Sequence, residues 1–92
     1  MAYELRLHRQ FVKDAERLKK AGWDMKKFSI FLQELRKSPP FPHQYEIHQL
    51  RGAMEGVWDA HITQNWVVLF RQPRDGVIEL LRTGTHQYLG LS

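Results

Sequence analysis

Five consecutive apolar residues, Trp66-Val67-Val68-Leu69-Phe70, constrain this chain more than any other feature. All but Leu69 are aromatic or β-branched, and a strand with no polar side must be covered on both faces, so the run belongs in the middle of a sheet. Its neighbours fit that placement. From Val57 the chain alternates, with Trp58, Ala60 and Ile62 on one side and Asp59, His61 and Thr63 on the other. Gln64-Asn65 makes a tight connection into the apolar run, and Gln72-Pro73-Arg74-Asp75-Gly76 is a turn by composition. The short apolar stretch Val77-Ile78-Glu79-Leu80-Leu81 is then a third strand.

The N-terminal half changes period. Tyr3, Leu5 and Leu7 alternate with Glu4 and Arg6, the pattern of a strand with one buried face. From about Arg9, Phe11, Val12, Ala15 and Leu18 form a helical stripe, with Lys13, Asp14, Arg17, Lys19 and Lys20 off it and Gly22 as a stop. Asp24 offers an N-cap to a second helix with Met25, Phe28, Phe31, Leu32 and Leu35 on its apolar face, ended by Ser38-Pro39-Pro40. Ala21-Gly22-Trp23 joins the two as an antiparallel hairpin. Ser38 to Gly56 contains three prolines and two glycines and reads as a long loop with a short extended piece around Tyr45 to Leu50. The expectation is one α+β domain over residues 1–92: strand, helix, helix, then a three-stranded antiparallel meander, with the helix hairpin packed on one sheet face.

Charge is unevenly distributed. Met1 to Pro42 carry ten Lys/Arg against five Asp/Glu, while His43 to Ser92 carry four against five. A basic helix pair suits a polyanionic partner, nucleic acid first, although a positive face also serves solubility. The chain has no cysteine, hence no disulfide framework and no thiolate nucleophile or ligand. No stretch approaches the ~20 apolar residues of a membrane span, and no N-terminal run resembles a signal peptide, so a cytoplasmic protein without a membrane partner is expected.

The chemical groups cluster late. Arg82 ends the last strand and His86 follows four residues later across Thr83-Gly84-Thr85, where the glycine permits a bend that folds the imidazole back towards the guanidinium. On these residues alone such a segment is more often a solvated strand end than a site. His61 projects from the sheet face opposite Trp58, Ala60 and Ile62, and His48 lies in the long loop. There is no H-E-x-x-H pattern and no Gly-rich phosphate loop, so neither a zinc ligand set nor nucleotide-driven chemistry has a motif to rest on. Histidine and arginine without metal suffice for RNA, whose 2′-hydroxyl is a built-in nucleophile. A base removes its proton, an acid protonates the leaving 5′-oxygen, and a cation stabilises the charge between them.

Four pieces taken in order, His48-Gln49-Leu50-Arg51-Gly52, Gly56-Val57-Trp58-Asp59-Ala60-His61-Ile62, the Trp66 strand and Arg82-Thr83-Gly84-Thr85-His86, resemble the YafQ branch of the RelE/ParE toxin superfamily. The resemblance implies a RelE-like fold and a small basic toxin of a bacterial toxin–antitoxin pair that cuts mRNA in the ribosomal A site with no metal or other cofactor. It implies that His48, His61 and His86 share acid/base and phosphate-orienting roles, that Arg82 stabilises the transition-state charge, and that Trp66 supports the site or stacks in it. The partners implied are a cognate antitoxin, the ribosome and mRNA, with operator DNA met only through the antitoxin complex. Two positions depart from the pattern. Asn65 stands where the family has an aspartate, so its amide would hold substrate without exchanging a proton. Gly90 stands where the family has an aromatic, leaving Tyr88 as the nearest ring for stacking on a base. The rival readings are a toxin that acts by binding, such as a gyrase poison of the ParE type, and an attenuated toxin that works as a co-repressor.

Overall fold

A computed structural model of the chain describes residues 3–37, 43–50, 52 and 56–91. The apolar run opens strand β4 (Trp66–Arg74), which lies between β3 (Trp58–Thr63) and β5 (Val77–Gly84) and is antiparallel to both. Val67, Val68 and Phe70 are fully buried, as a central strand requires. Two further strands extend this meander. Along the outer side of β5 runs β1 (Glu4–Leu7), parallel to it, and β2 (His48–Gln49) pairs antiparallel with β3, giving the order β1-β5-β4-β3-β2.

Helices α1 (Arg9–Lys20) and α2 (Met25–Arg36) form the expected hairpin. Asp24 caps α2 by accepting the backbone N–H groups of Lys26 and Lys27, both at 3.1 Å. Phe11 and Leu18 of α1 and Phe28, Phe31 and Leu35 of α2 pack with Ala60, Trp66, Val68, Phe70, Ile78 and Leu80 in one core. Each such large side chain contributes about 1.5–3 kcal/mol by leaving water. Trp58 and Ile62 pack against the same core, so the alternation of β3 resolves as read, with Asp59 and His61 on the opposite face.

Three expectations change in detail. The α1 stripe includes Asp14, 1% exposed, whereas Val12 is 38% exposed. Asp14 lies three residues after Phe11 and four before Leu18, so helical geometry places it on the buried face whatever its charge. The loop expected over 38–56 falls partly outside the described residues. Within the rest, His43–Tyr45 form a 3-10 turn whose Tyr45 is buried edge-on against Phe31, its hydroxyl donating to Glu34, and the expected extended piece narrows to β2, which carries His48. After β5 the chain forms a four-residue helix, α3 (His86–Leu89), too short to leave a periodic trace.

Candidate active site

Strand pairing gathers the first part of the site. His48 of β2 sits opposite Asp59 of β3, and Asp59 and His61, two residues apart, share the face away from the helices. From the other side α3 delivers His86, whose Nε2 lies 3.0 Å from Nε2 of His61, with the ring centroids 5.0 Å apart. Asp59 lies between the imidazoles: Oδ2 is 4.0 Å from His61 Nε2 and Oδ1 is 3.9 Å from His48 Nδ1. The His48 ring stands 6.5 Å from that of His61 and is the most open of the three. Beside it a hollow is lined by Ile47, His48, Gln49, Leu50, Gly52, Gly56 and Trp58.

The contact between His61 and His86 constrains their protonation. Two ring nitrogens at 3.0 Å form an N–H···N bond only when one carries a hydrogen and the other offers a lone pair, so one Nε2 donates and the other accepts. Asp59 Oδ1 and His61 Nδ1 are buried and have no hydrogen-bond partner among the described residues. Unsatisfied buried polar atoms of this kind are uncommon and cluster where a protein does chemistry. The nearest donors of Asp59, His61 and His86 all lie within 4.8 Å of one another, a set able to hold a divalent cation as well as to move protons.

The end of β5 and α3 explains the Thr-Gly-Thr spacing. Thr85 caps α3, its hydroxyl accepting the Tyr88 N–H at 3.0 Å, and Gly90 closes it in the left-handed conformation with Leu91 N–H donating to the His86 carbonyl at 2.9 Å. Gly84 lets Tyr88 lie directly against the strand, since a Cβ there would stand 2.9 Å from Tyr88 Cδ2. The short helix is thereby fixed at both ends, and His86 with it.

Arg82 does not meet the imidazoles directly. Its Nε donates to Asp14 Oδ2 at 2.8 Å and its Nη2 to Asp14 Oδ1 at 3.4 Å. The same carboxylate accepts the Thr83 backbone N–H at 3.2 Å, the Gln10 amide at 3.2 Å and the Tyr88 hydroxyl at 3.4 Å. Burial pushes the Asp14 carboxyl up, but the bonds from Arg82, Thr83 and Gln10 outweigh it and hold the group below its ordinary value. The bond to Asp14 raises Arg82 in turn. By register Arg82 sits beside Leu69, which sits beside Asp59, so the guanidinium rises from the same row of the sheet as the carboxylate among the histidines.

The other expected substrate contacts divide. Trp66 is 2% exposed, stacked on Phe28 at 5.4 Å and edge-on to Trp23 at 4.9 Å, so no face is free for a base. Its part is support: the indole N–H donates to Thr83 Oγ1 at 2.9 Å. Tyr88 is 43% exposed, but the Arg17 guanidinium lies 3.6 Å over its ring. Asn65 is exposed in the turn between β3 and β4. Asp59 and Asp14 were not singled out in the sequence as site residues. The available signals were the position of Asp59 two residues before His61 and that of Asp14 on the apolar stripe of α1.

The family model for the bacterial toxin of type II toxin–antitoxin systems, YafQ, matches residues 3–90. The chain belongs to the YafQ toxin family. The mRNA interferase toxin YafQ of Escherichia coli strain K12 is 32% identical to it over 81 residues, 87% of either chain. The crystal structure of YafQ from E. coli strain BL21(DE3) superposes with a TM-score of 0.86 at 28% identity, covering 95% of this chain and 97% of that one. YafQ in the E. coli DinJ-YafQ toxin–antitoxin complex gives a TM-score of 0.85 at 29% identity, covering 97% and 98%. The α+β architecture of strand, helix pair and meander is therefore that of YafQ itself.

Proposed function

We propose that this YafQ-family toxin is a ribosome-dependent endoribonuclease that cuts mRNA by histidine acid/base catalysis without a metal. The observation that carries the reading is the 3.0 Å contact between His61 and His86 beside Asp59, since it pairs a proton donor with an acceptor at one point on the sheet. That pair is too close to straddle a phosphodiester, whereas His48 stands across a wider gap, 6.5 Å between ring centroids. The scissile linkage passes over this face, flanked by His48 on one side and the His61–His86 pair on the other, with Asp59 beneath it. One side takes the proton of the 2′-hydroxyl as that oxygen attacks phosphorus, and the other donates a proton to the departing 5′-oxygen. A 2′,3′-cyclic phosphate and a free 5′-hydroxyl result, and Arg82 offsets the charge on the phosphorane.

The basic faces of α1 and α2 engage ribosomal RNA phosphates, and the hollow beside His48 receives the A-site codon. A cognate antitoxin neutralises the chain, as the DinJ complex of E. coli YafQ suggests, and operator DNA is met only through that complex. No described helix is long and apolar enough to cross a membrane, in keeping with a toxin that works on cytoplasmic ribosomes.

The test is growth arrest and cleavage of ribosome-bound mRNA by the wild type, His86→Ala and Arg82→Ala. Both activities are expected in the wild type, with both reduced in each variant. Full retention in both variants would falsify the assigned site, and inhibition of plasmid supercoiling without mRNA cleavage would favour a gyrase poison.

A further inference from the structure

Strand β1 covers only half of its neighbour: its pairing with β5 ends at Leu7 opposite Leu80, and Leu81 to Gly84 run on beyond it. Helix α1 crosses that uncovered edge and places one carboxylate there, Asp14. It accepts the edge N–H of Thr83, one side of the Arg82 guanidinium and the hydroxyl of Tyr88. A helix that needed only to bury its stripe would put an apolar residue here, because burying a carboxylate is costly unless its lone pairs are fully used.

We propose that Asp14 is a positioning residue of the ribonuclease site: it fixes which edge of Arg82 faces the phosphate and, through Tyr88, the seat of the helix that carries His86. This role rests on the ribonuclease reading above. The guanidinium is planar and forked, so committing Nε and Nη2 to Asp14 sets the direction of Nη1. With its side chain 36% exposed, the outer edge of Arg82 remains open to a substrate oxygen. Tyr88 extends the same control, held between Arg17 above and Gly84 below with its hydroxyl on Asp14. Asp14 touches no reacting atom. It acts on geometry, and an error of about 1 Å in a charge-stabilising group costs up to about 100-fold in rate.

The experiment is a double-mutant cycle in single-turnover cleavage of mRNA on programmed ribosomes. Asp14→Asn is nearly isosteric but cannot accept all of these donors at once. It is expected to lower the rate at saturation about 10- to 100-fold while leaving the half-saturating concentration unchanged. On an Arg82→Ala background only the route through Tyr88 remains, so the same substitution is expected to cost several-fold less than it does in the wild type. Equal losses on both backgrounds, or a rise in the half-saturating concentration alone, would overturn the role. A wild type that cuts no mRNA sinks the ribonuclease reading and this role together, whereas a wild type and an Asp14→Asn variant that cut equally well sink this role alone. Exchange of the Arg82 Nε–H in the wild-type chain, read by nitrogen-15 NMR, needs no variant to fold. Slow exchange supports the anchored guanidinium, and exchange as fast as that of surface arginines refutes it.

Discussion

The indole N–H of Trp66 donates to the hydroxyl of Thr83 at 2.9 Å, and that hydroxyl donates onward to the Val67 carbonyl at 3.0 Å, all three groups being buried. Thr83→Val keeps the shape and removes both bonds, leaving a buried donor unsatisfied. The expected loss is about 1–3 kcal/mol of stability. Urea unfolding should show a lower midpoint with an unchanged slope.

Gly84→Ala sets a methyl group into the ring of Tyr88, 2.9 Å from Cδ2, at a backbone angle of φ +156°. The side chain that must give way lies on the helix carrying His86. Cleavage is expected to fall at least about tenfold while the core remains folded, because displacement at a reacting group costs more rate than stability. Parallel measurement of mRNA cleavage and thermal melting checks this, and a melting point lowered with full cleavage retained contradicts it.

Asp14 makes a specific contribution to acid stability. Its folded pKa lies below its unfolded value, so the stabilisation is complete above the unfolded value of about 3.9 and is lost as pH falls through the folded one. Stability of the wild type minus that of Asp14→Asn should therefore be constant at neutral pH and shrink below about pH 4. Glu4 and Glu79 are also held low by arginine partners, but both remain in the variant and cancel in the difference.

Asn65 offers a gain-of-function test. Its backbone N–H donates to Thr63 Oγ1 at 3.3 Å, and its side chain is exposed in the turn that begins three residues past His61. Asn65→Asp supplies a carboxylate able to exchange a proton, and faster cleavage with unchanged melting is expected. An unchanged rate would remove position 65 from proton transfer.

Metals should inhibit. Zn²⁺ held by Asp59, His61 and His86 would occupy the nitrogen lone pairs that proton transfer requires. Added Zn²⁺ is expected to slow cleavage reversibly, and a chelator selective for transition metals, sparing the Mg²⁺ of the ribosome, is expected to leave the untreated protein at full activity. Loss of activity on chelation would contradict metal-free catalysis.

What could be read in advance follows physical range. The apolar run of β4, the alternation of β3 and the two helical stripes are local patterns, and they determined the meander and its cover. The parallel pairing of β1 with β5 joins residues more than 70 apart and leaves no local mark. The four residues of α3 are shorter than any detectable period, and β2 is legible only as a short extended piece without its pairing partner. His48, His61, Arg82 and His86 stand out as chemical groups in the sequence, but only the family resemblance joins them into one site, because spacing alone favours a solvated strand end for Arg82 and His86. The charge of Asp14 points to solvent while its position on the stripe specifies the interior, and the interior wins.

The uncovered half of β5 has a consequence for life at high concentration. An open sheet margin invites a second molecule to add its own strand and continue the ribbon. By taking the Thr83 N–H, the buried carboxylate on α1 removes a donor such an intruder would need. The contact on which Arg82 rests thus also occupies that margin, so a second molecule meets a helix there instead of a bare strand edge.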